Sequence, residues 1–356
     1  MKNPSIRMLA VALVTLSVVL SACAAPAPTA APTTAPAKAT EAPKPTSAAP
    51  TAAPATTAPT AAATKAPANT KKLTFALVTK ALDNPFWGMM QEGAKQVAAE
   101  NNVELLYLAP TKANNLEEQS RLVDDLIQKK VDGIILVPVD SAGMVPAIER
   151  VNKAGIPIAL ANTNANGGQV VTFSAIENYE AMTMVAEYMV KKLNGKGKVV
   201  IIEGTQGAQT AIDRKRAIDD VLKKNPGIQV LASQTADFQR AKAMQVMENL
   251  LQTYPQIDAV FACNDEEALG AIEALDAAKR LSTTLVSGFD ANNDGLKAIR
   301  DGRMVVTADQ QPGKQAGDAI LALIDAINGK TPPKRIVTPG KLVTKDNIAD
   351  YASRIK

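Results

Sequence analysis

The sequence predicts an α/β protein whose body is two similar halves, each a parallel sheet covered by helices on both faces. Three observations lead there: near-continuous apolar runs of strand length, amphipathic segments at helical spacing between them, and short connections throughout. Four such β-α repeats precede about Ser174 and four follow it, so the chain divides near Ala175 to Asn178.

The expected strands, in order, are Leu73 to Thr79, Val103 to Leu108, Gly133 to Pro138, Ile156 to Ala161, Val199 to Glu203, Gln229 to Ser233, Ala259 to Cys263, Thr284 to Gly288 and Met304 to Ala308. Each is bounded by turn residues and too short for a buried helix. Helices are expected at Phe86 to Glu100, Leu116 to Lys129, Ala181 to Leu193, Ala241 to Thr253 and Glu266 to Lys279. Asn84-Pro85 is a start signal for the first, with Asn as cap and Pro in the first turn.

Ahead of this body, Lys2 and Arg7 precede an apolar run from Met8 to Leu20 that is shorter than the roughly 20 residues a membrane span needs, so residues 1–22 read as a secretion signal. Leu20-Ser21-Ala22-Cys23 resembles the lipobox of bacterial lipoproteins, which implies lipidation at Cys23; the plainer reading is an ordinary cut near Ala22. Residues 23–71 are almost wholly Ala, Pro and Thr and are expected to stay unfolded, because they cannot bury enough apolar surface to offset ordering. At ~3.1 Å per residue such a tether reaches up to ~100 Å or more from its anchor.

Composition removes several function classes. The 356 residues include no histidine, which excludes Ser-His-Asp and Cys-His catalysis and His-ligated metals, and the second cysteine, Cys263, has no partner in the mature chain other than Cys23. A net charge of +4 without a basic stripe gives no sign of nucleic-acid binding. The first strand is followed by Val-Thr-Lys-Ala-Leu-Asp and not by a glycine-rich phosphate loop; neither a cofactor nor a metal is expected.

In open α/β sheets, ligands gather at the carboxyl ends of the strands. There this chain has Lys80, Asn84, Phe86 and Trp87 after the first strand, and Asn162 and Thr163 after the fourth. The later strands lead to Arg214, Asp237-Phe238, Asn264-Asp265, Phe289-Asp290 and Asp309-Gln310. Four of the seven Phe and Trp residues (Phe86, Trp87, Phe238, Phe289) stand at strand ends, beside amides and opposite charges. Flat rings that stack on C–H faces, with directional donors and acceptors, suit a small polyhydroxylated ligand. Local duties compete: Phe238 as a staple, Asp265 as the cap of its own helix, Asn264 and Asp290 as turn residues.

Asp83-Asn-Pro-Phe-Trp87, Gln234-Thr-Ala-Asp-Phe-Gln-Arg240, Val260-Phe-Ala-Cys-Asn-Asp-Glu-Glu-Ala-Leu-Gly-Ala271, Ser287-Gly-Phe-Asp290 and Ala308-Asp-Gln-Gln-Pro312 together resemble the periplasmic sugar-binding proteins of the ribose-binding type, which serve ABC importers. The resemblance implies two doubly wound lobes joined by a three-stranded hinge, with crossings near Ala175, Ala308 to Gln310 and Pro339 to Val343. It implies an N-terminal lobe of residues 72–175 with 310–340 and a C-terminal lobe of 176–309 with 341–356. Carried over by motif, the ligand residues are Lys80, Asn84, Phe86, Trp87, Asn162, Thr163, Arg214, Phe238, Asn264, Asp290 and Gln310. The implied partners are a sugar or polyol and a membrane permease; a monomer at the outer face of the cytoplasmic membrane is expected, without enzymatic activity. A receptor that signals to a chemoreceptor or sensor kinase is the alternative.

Two departures bear on the ligand. Asn162-Thr163 stands where ribose-binding members carry Asp-Arg, and Lys80 where they carry a small hydroxyl residue, as in relatives resembling the allose-binding proteins. An aldohexose or polyol is therefore expected over a pentose. Lys80 and Arg214 against Asp290 leave one positive charge unmatched, which points to an acidic sugar or sugar phosphate unless Glu177 or Asp309 supplies the partner. An enzyme using Asp265, Glu266, Glu267 or Asp290 as acid-base groups is the other class.

Overall fold

A computed structural model describes residues 72–355; the signal segment, Cys23 and the tether lie outside the described residues. The strands are β1 (Leu73–Val78), β2 (Val103–Leu108), β3 (Gly133–Leu136), β4 (Ile158–Ala161), β5 (Phe173–Ala175), β6 (Gly197–Glu203), β7 (Ile228–Thr235), β8 (Ala259–Ala262), β9 (Leu285–Ser287), β10 (Val306–Asp309), β11 (Arg335–Val337) and β12 (Lys341–Thr344). The helices are α1 (Pro85–Glu100), α2 (Leu116–Lys129), α3 (Val145–Lys153), α4 (Asn178–Lys192), α5 (Gln209–Lys223), α6 (Arg240–Thr253), α7 (Asp265–Ala277), α8 (Asn293–Arg300) and α9 (Pro312–Ile327).

Two six-stranded sheets form, in the orders β2-β1-β3-β4-β5-β11 and β7-β6-β8-β9-β10-β12. The first is parallel throughout, and in the second only β12 runs antiparallel, against β10. Alternation within β1 shows why both faces are covered. Phe75 and Leu77 pack with Met90 and Ala94 of α1 and Ile320 and Leu323 of α9, while Ala76 and Val78 meet Val123 of α2 and Ile148 of α3. The second sheet is enclosed likewise, by α4 and α5 on one face and α6, α7 and α8 on the other. Each fully buried Leu, Ile, Val or Phe contributes roughly 1.5–3 kcal/mol, so two-sided cores stabilise sheets that lack disulfides.

The chain passes between the sheets three times: after β5, between β10 and α9, and between β11 and β12. Helix α9 returns to the first sheet by packing on α1 where Gly93 faces Gly313; a Cβ added at Gly93 would lie 2.3 Å from the Gly313 Cα, so this crossing requires glycine. Several expected ends shift for identifiable reasons. Pro157 and Pro138 trim β4 and β3, since proline has no N–H for the ladder, and Lys279, with φ of 57°, lies beyond the end of α7.

Candidate functional site

Both sheets place their reversal of strand order at β1 and β6, and the two sets of strand ends face one narrow cavity of about 40 Å³. Lys80, Asn84, Phe86, Trp87, Asn162, Arg214, Phe238, Asn264, Asp290 and Gln310 all line it. Thr163 does not; it is buried behind the wall, where its hydroxyl donates to Asn162 Oδ1 at 3.2 Å.

On the first wall, Asn84 caps α1, accepting from Phe86 N at 2.9 Å with extended backbone, and Pro85 opens the helix. The cap therefore fixes the first turn on which Phe86 and Trp87 stand. Their rings meet edge to face, centroids 4.8 Å apart at 84°. Lys80 is 2% exposed, and among the described residues its ammonium makes no hydrogen bond or ion pair. Burial, then the charge of Arg214, bring its pKa down to about 7, with Asp140 opposing.

The second wall is built around Arg214, 3% exposed, on α5. Its Nε donates to Asn178 Oδ1 at 3.0 Å, its Nη1 to the Cys263 carbonyl at 2.9 Å, and its guanidinium lies 4.0 Å from the Phe289 ring centroid and 5.6 Å from that of Phe238. Phe289 is thus a platform beneath the arginine and does not line the cavity. Asp290 Oδ1 is 3.9 Å from Nη1 and accepts from Gln310 Nε2. Burial pushes the Asp290 carboxyl well up, with Asp265 adding and Arg214 opposing.

The amides at the back form a chain: Asn162 Nδ2 donates to Gln310 Oε1 at 3.0 Å, and Gln310 in turn to Asp290. Backbone strain concentrates here, since Asn162, Asp237, Phe238 and Asp290 all line the cavity with φ of 60°, 56°, 60° and 144°. Such conformations cost about 1–3 kcal/mol each and persist where surrounding contacts impose them. For Phe238 the imposing contact is Glu267 Oε1, which accepts its N–H at 2.8 Å.

Some expected duties are reassigned. The cap of α7 is Asn264, which accepts from Glu267 N at 2.8 Å; Asp265 instead accepts from Asn292 N and the Thr307 hydroxyl. Burial raises the Asp265 pKa to about 7 while those hydrogen bonds pull it down. Glu266 holds Arg240 through two bonds of 3.0 Å. None of Asp265, Glu266 and Glu267 lines the cavity. Glu177 pairs with Arg335 at 2.9 Å, and Asp309 faces Arg354 and Tyr351, so neither is the counter-charge for Lys80.

Asp83, Asn114, Thr210, Asp237 and Gln239 also line the cavity and were not among the expected ligand residues, although Asp237 was noted at its strand end. Thr210 lies one helical turn before Arg214, a spacing that places both on one face, and Asp237 adjoins Phe238. Asn114 carries no local signal for its role: its Nδ2 donates to the Asp237 carbonyl at 3.0 Å across the two sheets. A second bridge joins Ser141 to the Gly207 carbonyl and the Gln209 N–H, both at 3.0 Å. These hydrogen bonds join the two walls directly.

Residues 75–331 match the periplasmic binding protein domain family. The ribose import binding protein RbsB of Bacillus subtilis (strain 168) is 36% identical over 277 residues, 78% of this chain and 89% of that protein. Two solved structures share the fold. An ABC transporter periplasmic solute binding protein from Actinobacillus succinogenes with bound D-allose has a TM-score of 0.75 at 30% identity, over 79% of this chain and 100% of that one. One from Bacillus halodurans with bound myo-inositol has 0.74 at 32% identity, over 80% and 98%. With the matched strand ends and the cavity they share, these likenesses identify the chain as a member of the periplasmic binding protein family.

Proposed function

We propose that this chain is the extracytoplasmic substrate-binding lipoprotein of an ABC importer, which captures a monosaccharide or sugar-like polyol between its two sheets and delivers it to a permease. The observation that carries this reading is the convergence of Phe86, Trp87, Asn264, Arg214 and Asp290, from both halves of the chain, on one cavity. Ring faces stack on the ligand's C–H surface, and the amides and charges take its hydroxyls. The relatives named for ribose, and the structures bound to D-allose and myo-inositol, support the same class.

Function follows from hinge closure. The three crossings are the segments able to flex, and a ligand that touches both walls favours the closed arrangement by its extra contacts there. No bond is made or broken. The signal, the lipid at Cys23 and the tether serve to hold a monomeric body near the permease at the outer face of the membrane.

A thermal-shift screen of the full chain against aldoses, ketoses, polyols, sugar acids and sugar phosphates tests the reading. A ligand at 1,000 times its dissociation constant adds ~4 kcal/mol, a rise of several degrees. Absence of a shift with every carbohydrate overturns it.

A further inference from the structure

The hydrogen-bonding capacity left over inside the cavity is lopsided. Among the buried lining side chains, unengaged donors remain on Lys80, on Arg214 Nη2 and on Asn264 Nδ2, whose oxygen is spent on the cap of α7. Asn162 and Gln310 have consumed their own oxygens, on Thr163 and on each other. Among those buried side chains the unengaged acceptor is the second carboxylate oxygen of Asp290, with the Thr210 hydroxyl able to act either way; Asn114 Oδ1 and Gln239 Oε1 are further acceptors on half-buried lining residues.

A neutral sugar brings one donor with every hydroxyl, and each needs an acceptor once water is excluded. Such a ligand exhausts these buried acceptors quickly and still leaves the Lys80 ammonium without a counter-charge in contact with it. The other carboxylates are committed. Asp237 pairs with Lys242 at 2.7 Å and Asp83 is exposed, while Asp140, which does not line the cavity and accepts the N–H groups of Ala142 and Gly143 on Oδ1, acts on Lys80 only at longer range. A carboxylate or phosphate accepts several hydrogen bonds, donates none and carries the missing charge, which makes it the complement of this set.

We propose that the natural ligand is an anionic polyhydroxylated molecule, a sugar acid or sugar phosphate, whose charged oxygens are set against Lys80. This rests on the sugar-binding reading of the same cavity and narrows it. Lys80 then acts as the specificity-determining residue: it separates an acid from its neutral parent, while the ring pair and Arg214 hold the carbon skeleton common to both.

The test is calorimetric titration of the full chain with matched sets: D-glucose, D-glucuronate and D-glucose 6-phosphate, then D-galactose, D-galacturonate and D-galactose 6-phosphate, with D-allose and myo-inositol as further neutral compounds. Expected is an acid that binds at least about tenfold tighter than its neutral parent, with the carboxylate and phosphate arms deciding between the two sources. Lys80→Met is expected to remove that margin and Lys80→Arg to keep most of it. A neutral sugar that binds tighter than its acid, or a margin that survives Lys80→Met, overturns the anionic assignment and leaves the sugar-binding reading standing. Failure of every carbohydrate to bind overturns both.

Discussion

The two walls of the cavity each bury one cation, and they treat it in opposite ways. Arg214 is held by Asn178, by the Cys263 carbonyl, by the Phe289 face and by Asp290 before any ligand arrives. Lys80 is as deeply buried and has none of these. A guanidinium can be shared, with a rigid fork that satisfies the protein on two sides and faces the cavity with a third, whereas an ammonium on a flexible stem is a point charge. The difference separates a residue that builds the site from one that waits for the ligand.

The largest effect is expected on the built side. Arg214→Met leaves the Asn178 oxygen, the Cys263 carbonyl and Asp290 without their partner, and removal of one member of a buried pair costs roughly 3–5 kcal/mol. Chemical denaturation should show that loss, together with loss of ligand binding. A variant as stable as the parent would mean that Arg214 is a ligand contact alone and that the contrast between the walls is false.

The waiting side predicts the reverse sign. The lysine pKa falls from 10.5 to about 7 on folding, chiefly through burial and secondly through Arg214. Between those values the unfolded chain binds more protons, so this residue makes stability rise with pH from about 7 to 10.5 and withholds it fully below 7. Lys80→Met is therefore expected to stabilise the ligand-free chain near neutral pH, on the order of 4 kcal/mol, and to flatten that slope. Thermal midpoints of both chains from pH 6 to 10 measure it; an unchanged slope would show that Lys80 has found a partner after all.

The smallest effect sharpens the comparison within the first wall. Asn84→Ala removes the cap of α1 at a cost of about 1 kcal/mol. Because that cap orients Phe86 and Trp87, ligand affinity is expected to drop by more than the stability change accounts for. Asn84→Ser, which restores an acceptor for Phe86 N, should recover the stability and only part of the affinity. Full recovery of both would reduce Asn84 to a cap.

The parts legible in the sequence are those written in local pattern. Apolar runs marked β1, β3, β6 and β8, helical spacing marked α1 and α2, and Asn84-Pro85 announced a helix start. The strand-end rule then pointed to Lys80, Asn162, Asn264 and Asp290. Strands β5, β11 and β12, three or four residues each, are too short to carry a period. Asp265 illustrates the other kind of miss. An acidic residue at a helix start looks like a cap, yet the neighbouring Asn264 caps α7, while Asp265 clamps Asn292 and Thr307 from 27 and 42 residues away.

By itself the sequence determined the fold class, the division into two halves and most of the side chains that surround the cavity, because hydrophobic period and turn chemistry act over a few neighbouring residues. Only the tertiary structure decided which of those side chains remain available. Arg214 meets Asn178 and Cys263 across 36 and 49 positions, Asn162 reaches Gln310 across 148, and Thr163 is turned away behind the wall. Whether a buried charge is partnered depends on distances of a few ångströms between remote segments, and those distances exist only once both sheets have folded.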